Sequence, residues 1–345
     1  MKDEKRMKTP WLSKHHWLAV VVVGLALILG TTVAGAVEIK VALVTPEGST
    51  WTRTLNAWTE EVAAATGGAV TFKVYAGGIS GDELDVLRKM QAGRIQAAGF
   101  SGVGLGTILP AMRILEAPLL FDGEAALDRV KEVLFDGFAA DLEKQGYILL
   151  GFAEAGFVYF FAKNDISSSA GLAKVKMWSW KGDPVAQAFL ETHGIRAVPL
   201  HVGDVNTGLE TGMIDAFYAP PLAALVFQWQ HRVRFMLDQP MVNSTGALLL
   251  KKTVFDALSP AHQAIVRDTA RKRCRELVES SRRENRQAME ALHAAGITVV
   301  KPEPELIEKL RQSAGQTHAK HQQNLYSPEL FAKVQGMLNA GGSKP

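Results

Sequence analysis

From Pro260 to Gly296 the chain runs without a second proline or any internal glycine. Ser259-Pro260 is a strong opening, an N-cap followed by proline at the first helical position. The spacing predicts one helix of roughly 35 residues, about 50 Å long. Such a rod is longer than a single small lobe is wide, so it is expected to cross between two. The length of 345 residues allows two lobes, each with its own core. With 47% apolar and 21% charged residues, a fibrous or wholly disordered chain is excluded.

The formal charge of +3 is confined to the first residues. Up to Ala36 there are five basic and two acidic side chains, and the remainder is neutral. A polyanion partner therefore has no global charge behind it, and no nucleic acid is expected. The same segment has a basic region to Trp17, an apolar run Leu18 to Leu29, and Ala34-Gly35-Ala36 as a small-x-small cleavage pattern. Residues 1–36 read as a cleavable signal peptide, with an uncleaved anchor as the alternative. A periplasmic location follows. The single cysteine, Cys274, leaves no internal disulfide and no cysteine-based metal site.

Beyond the leader, short β-rich runs alternate with amphipathic ones. Glu38 to Val44 reads as a strand, Trp51 to Ala65 as a helix, and Val70 to Tyr75 as a strand. Asp82 caps a helix to about Ala92, and Ile95 to Ser101 is a strand. This β-α-β-α-β order predicts parallel pairing with crossover helices. Further strands are expected at 147–152, 157–162, 175–180, 196–200 and 216–218, with a helix over 184–193.

The search for catalysis is negative. Gly102-Val103-Gly104-Leu105-Gly106 lacks the spacing and downstream acid of a dinucleotide loop. His318 and His321 are expected on a solvated helix face rather than on a metal. Asp215 is expected to serve a turn. No cofactor or metal and no enzymatic activity are expected. The positive features are aromatic: Trp178 and Trp180 share a strand face with Lys176, and Phe217-Tyr218 end another strand. Core packing is the ordinary explanation of such pairs.

Several runs together resemble the solute-binding subunits of tripartite ATP-independent periplasmic (TRAP) transporters, the DctP-like family. They are Thr66-Gly67-Gly68, Val86 to Gly93, Ala117-Pro118-Leu119-Leu120-Phe121, and above all Leu209-Glu210-Thr211-Gly212-Met213-Ile214-Asp215 with Pro220 after it. The resemblance covers about Glu38 to Val334. It implies an α/β, two-lobed periplasmic binding protein, type II-like. Each lobe would be a mixed, mostly parallel sheet flanked by helices, with the long helix linking the two. On it we expect lobe I at 37–160 plus 244–290 and lobe II at 161–243 plus 291–336. Hinge crossings are expected near 158–162 and 240–245, and a disordered tail at 337–345. The implied partners are a small-molecule ligand and the TRAP membrane permease subunits; a monomer is expected, with a dimer as the alternative.

Departures from the family pattern bear on the ligand. The resemblance implies an arginine clamp for a carboxylate, yet Trp178 stands at one arginine position and Val158 at another. Tyr218-Ala219 replaces a polar pair. The ligand-contact positions fall at Trp178, Trp180, Tyr218, Phe217, Val158 and Val202, with Val44, Phe100 and Ser101 from the other lobe. Asp82 is expected at the cleft edge, and Lys176 beside Trp178. Tryptophan and valine cannot replace a bidentate guanidinium. An apolar, aromatic or amphipathic ligand is therefore expected. A carboxylate receptor with relocated cations (Lys176, Lys181 or Arg53) and an envelope docking protein without a ligand are the alternatives.

Overall fold

The computed structural model describes residues 36–341. The expected leader and cleavage site lie outside the described residues, apart from Ala36. Ten strands occur among the described residues: β1 Val37–Ala42, β2 Val70–Tyr75, β3 Ala97–Ser101, β4 Tyr147–Ala162, β5 Lys176–Trp180, β6 Arg196–Leu200, β7 Ala216–Ala219, β8 Phe235–Leu237, β9 Val242–Lys251 and β10 Thr298–Val300. The longer helices are α1 Thr50–Ala65, α2 Glu83–Gln91, α3 Glu124–Lys144, α4 Pro184–His193, α5 Pro260–Ala294, α6 Pro304–His321 and α7 Pro328–Gly341.

The main strand order is β2-β1-β3-β9-β4-β7-β5-β6, with β8 and β10 attached at the side of β4. Pairing is parallel between β1 and β3 and among β7, β5 and β6, as the alternating order predicts. It turns antiparallel where β9 meets β3 and β4, and where β4 meets β7. The sheet thus has two wings that share β4. That strand pairs with β9 as far as Val158, then with β7 from Tyr159 onward.

Two strands expected at 147–152 and 157–162 are one strand of 16 residues, interrupted by irregularities near Gly151 and Gly156. The interruptions follow from the crossing of α5. A side chain at Gly151 would come within 2.8 Å of the Cys274 Cβ, and one at Gly156 would strike Asn285. Gly156 also sits at φ +118, a conformation that favours glycine. Asn285 then pins the crossing. Its Nδ2 donates to the Ala155 carbonyl at 2.7 Å, and its Oδ1 accepts from the Leu222 amide at 2.9 Å.

Helix α5 has 35 residues, with the Ser259 side chain accepting from the His262 amide at 3.2 Å. One apolar core, including Leu115, Leu127, Leu142 and Leu249, fills the first wing. Another, including Phe160, Met177, Phe189 and Leu310, fills the second. An aromatic cluster with Trp51, Phe161, Trp178, Phe217 and Trp229 lies among them and takes Leu277 and Leu292 from α5.

The C-terminal segment packs on the first wing. Phe331 and Val334 of α7 pack into the first-wing core. Helix α7 continues to Gly341 rather than becoming disordered at 337, because Met337 and Leu338 pack against that same core. His318 and His321 are not on a solvated face. His321 is buried, and the His318 ring pairs with the Pro118 carbonyl at 2.8 Å.

Candidate functional site

A cavity of about 190 Å³ lies between the wings. Val44, Phe100, Ser101, Val158, Trp178, Trp180, Val202 and Tyr218 all line it. The aromatic wall is built by alternation on β5 together with β7. Trp178 is only 2% exposed and packs among rings: Tyr218 stacks on it at 5.0 Å between centroids, Trp229 meets it edge-on at 5.3 Å, and Trp180 lies at 5.9 Å. Its Nε1 donates to the Leu200 carbonyl at 3.1 Å. Trp178 is therefore a core residue whose ring also faces the cavity. The Tyr218 hydroxyl accepts from the Trp180 amide at 3.0 Å, which fixes the two rings relative to each other.

Two expected site residues fall elsewhere. Phe217 is fully buried, stacked on Phe161 at 4.8 Å, and does not line the cavity. Lys176 does not line it either. Its Nζ reaches the Gly212 carbonyl and lies 3.9 Å from Asp215, because Lys176 opens β5 beside the turn before β7. Asp215 serves that turn, accepting from the Lys176 amide at 2.7 Å. Asp82 joins the wings at the cleft edge. Its carboxylate accepts from the Trp180 Nε1 at 3.0 Å and the Val202 amide at 3.3 Å, and lies 3.0 Å from the His201 Nδ1. Lys181 and Arg53 do not line the cavity.

Of the cationic side chains among the described residues, Arg273 alone lines this cavity, and it is already paired with Glu61 at 2.6 Å and Glu276 at 2.9 Å. The buried carboxyl of Glu83 also lines it, accepting from the Ser101 amide at 2.8 Å, the Ser101 hydroxyl at 3.0 Å and the Gly104 amide at 2.8 Å. Burial nonetheless pushes Glu83 up to about 7, and the neighbouring Asp82 charge adds to the rise.

A second cavity of about 80 Å³ adjoins the first and shares Ser101, Val158, Trp180, Tyr218 and Ser244 as walls. Arg113, Glu116 and Asp183 also line it. Arg113 sits in a 3-10 turn, Pro110–Glu116, and bridges to Glu116 at 2.7 Å and to Asp183 at 2.6 Å. Asp183 caps α4, accepting from the Val185 and Ala186 amides at 3.0 and 3.2 Å. Glu116 accepts from the Thr245 amide at 3.0 Å. Burial raises Glu116 to about 7, against the lowering effect of Arg113 and with a further raising effect of Asp183.

This cluster explains the Gly-Val-Gly-Leu-Gly run. A side chain at Gly102 would collide with Glu116, one at Gly104 with Phe100, and one at Gly106 with Arg113. The glycines provide clearance for buried side chains instead of a phosphate loop. Sequence reasoning missed Arg113. Its one signal was an Arg/Glu pair three apart within an otherwise apolar run from Ile108 to Phe121.

Among the described residues, no group of three or more His, Cys, Asp or Glu is placed to hold a metal. The architecture has close relatives. The sequence pattern of bacterial extracellular solute-binding protein family 7 (DctP) matches residues 41–324. A solute-binding protein of Verminephrobacter eiseniae is 25% identical over 278 residues, covering 78% of this chain and 81% of the relative. The ectoine-binding periplasmic protein TeaA of Halomonas elongata is 24% identical over 262 residues, covering 72% of this chain and 75% of that one. Among solved structures, a TRAP periplasmic solute-binding protein from Xanthobacter autotrophicus with bound β-D-galacturonate superimposes with a TM-score of 0.81 at 21% identity. It covers 87% of this chain and 99% of that one. An extracytoplasmic solute receptor of Bordetella pertussis binding pyroglutamic acid gives a TM-score of 0.82 at 19% identity, covering 87% of this chain and all of that one. The fold is the two-lobed TRAP binding-protein fold, and the family comprises solute receptors rather than enzymes. With the family pattern spanning both wings and the cleft between them, the chain belongs to bacterial extracellular solute-binding protein family 7.

Proposed function

We propose that this receptor works in the periplasm, takes up a small apolar, aromatic or amphipathic organic molecule between its wings, and delivers it to a TRAP membrane permease. The observation that carries the reading is the composition of the cleft. Trp178, Trp180, Tyr218, Phe100, Val158 and Val202 surround it, while the lining Arg273 is spent on Glu61 and Glu276. Apolar walls with few polar groups suit ligands of matching character. A carboxylate placed there would be buried without a partner.

Relatives bind ectoine, galacturonate or pyroglutamic acid, which keeps the alternative of an organic-acid receptor with relocated cations in view. Lys176, Lys181 and Arg53 lie outside the cavity wall, which counts against that alternative. An envelope docking protein without a ligand would have a filled cleft, and a cavity of about 190 Å³ counts against it. The export step rests on the leader. No helix among the described residues is long and apolar enough to cross a membrane. Amino-terminal sequencing of the periplasmic form should begin at or near Val37.

Native mass spectrometry of protein freshly isolated from the periplasm tests the ligand class. The expected co-purifying mass is that of an uncharged or largely apolar compound. A bound hydroxy- or keto-acid would contradict the proposal.

A further inference from the structure

A short segment of the second wing, Trp180 to Asp183, is gripped at both ends by the first wing. At one end stands Asp82, the N-cap of α2, whose side chain is 6% exposed. Its carboxylate accepts from the Trp180 Nε1 at 3.0 Å and the Val202 amide at 3.3 Å, and lies 3.0 Å from the His201 Nδ1. At the other end buried Arg113 meets buried Asp183 at 2.6 Å. Between the two, Gly182 sits at φ +90 against Leu84 of α2. A side chain there would come within 2.7 Å of the Leu84 Cδ1.

Each tie is also able to let go. Asp82 accepts from the Glu83 amide at 2.7 Å within its own wing. Arg113 keeps Glu116 at 2.7 Å, and Asp183 keeps the Val185 and Ala186 amides. Parting the wings therefore gives the cross-wing positions to water and strands no charge without a partner. A hinge closure needs such an element, with two arrangements close in free energy.

We propose that segment 180–183 is a clasp that holds the wings shut, and that Asp82 and Arg113 are its positioning residues. The clasp reaches the ligand through Trp180. That ring lines both cavities, and its indole N–H is anchored by Asp82 of the opposite wing. The ring gains this anchor only when the wings meet. Asp82 lines neither cavity, so its part is to set Trp180 and the closed population rather than to touch the ligand. The proposal goes beyond the ligand class and does not depend on it.

Spin labels on Val133→Cys of α3 and Met213→Cys before β7, both exposed, report the separation of the wings once buried Cys274 is replaced by alanine. No ligand is added. Asp82→Ser keeps a cap on α2 but is too short to reach Trp180. It should raise the ratio of open to closed molecules at least about tenfold. Asp82→Asn keeps an acceptor at the same reach and should return the ratio to within about threefold of wild type. Trp180→Phe, which removes the indole N–H and keeps a ring, should open the wings about fivefold alone and less than about twofold on top of Asp82→Ser. Asp183→Asn keeps the α4 cap and should also favour the open form.

A ratio unchanged by Asp82→Ser, with or without a lower melting temperature, would overturn the clasp and leave Asp82 a helix cap. An Asp82→Asn protein as open as Asp82→Ser would do the same. No opening in Asp183→Asn would remove Arg113 from the clasp. Should Asp82→Ser fold poorly, Trp180→Phe decides from the other wing. Failure here leaves the ligand class untouched, and tight binding of an acid would leave the clasp standing.

Discussion

Two largely buried ion clusters border the two cavities, one through Glu154 and the other through Arg113, and they differ in how fully their groups are paired. In one, Glu154 of β4 meets Lys131 of α3 at 3.0 Å and Arg282 of α5 at 2.6 Å. Arg282 also holds Asp128 with two bonds, at 2.6 and 2.7 Å. Two cations thus meet two carboxylates. Burial would raise Glu154, yet Lys131 and Arg282 hold it below the ordinary carboxylate value. In the other cluster, Arg113 faces Glu116 and Asp183, one cation against two carboxyl groups. It keeps an unpaired Nε, and Glu116 is raised to about 7. The first cluster is closed and ties β4, α3 and α5 together. The second leaves the Arg113 Nε buried without a partner, and Arg113, Glu116 and Asp183 line the second cavity. A satisfied buried network stabilises one arrangement; a partly satisfied one carries the cost of its unmet group.

The comparison can be broken most forcefully at Glu154. Glu154→Ala strips buried Lys131 of the carboxylate it pairs with, and should cost about 4 kcal/mol of unfolding free energy in a urea titration. A loss below about 1 kcal/mol would mean that the closed cluster does not hold the crossing together.

A pH titration separates the clusters by sign. Glu116 rises from 4.5 to about 7 on folding, so between these values the folded protein keeps a proton that the unfolded chain has released. Its contribution is full below about pH 4.5 and is lost as pH rises through 7. Glu154 behaves in the opposite way, contributing above 4.5 and losing its contribution as pH falls. Burial also lowers His193, His318 and His321, and these oppose Glu116 in part of the window. The Glu116 share is therefore read as a difference. Glu116→Gln should gain on the wild type as pH rises from 5 to 7.5, by on the order of 2 kcal/mol, and level off above that. A difference that stays constant with pH would contradict the raised carboxyl.

The mildest change is Asp183→Asn. The amide can still accept from the first turn of α4, and Arg113 retains Glu116, so the cost should be about 1 kcal/mol by thermal or urea unfolding. The same substitution should move the Glu116 titration downward, because the Asp183 charge is one of the causes that raise it.

Much of the scaffold is visible in the sequence. Helix α5 is legible from Ser259-Pro260 and the absence of any breaker up to Gly296. The parallel flanks are legible from alternating short strands and helices. The aromatic wall is legible because Trp178 and Trp180 stand two apart on a strand. What periodicity cannot show is where a side chain ends up when its partner is distant in sequence. Lys176 shares a strand face with Trp178, but its long stem follows the neighbouring turn to Gly212. Phe217 alternates into the core instead of the cleft. Arg113 lies in a 3-10 turn without a repeating pattern, and its partner Asp183 is 70 residues away. The glycines at 102, 104 and 106 read as a loop motif until the side chains they make room for are in view.

The central claim is that this member of a family with acid-binding relatives has an apolar cleft whose neighbouring cations are committed to its own carboxylates. Calorimetric titration of the wild-type protein with D-galacturonate, pyroglutamate and succinate tests it most directly. The account predicts binding no tighter than about 1 mM for each, equivalent to about −4 kcal/mol. Micromolar binding of any of them would contradict it, and would mean that Arg113 or Arg273 exchanges its internal partners for the ligand's carboxylate.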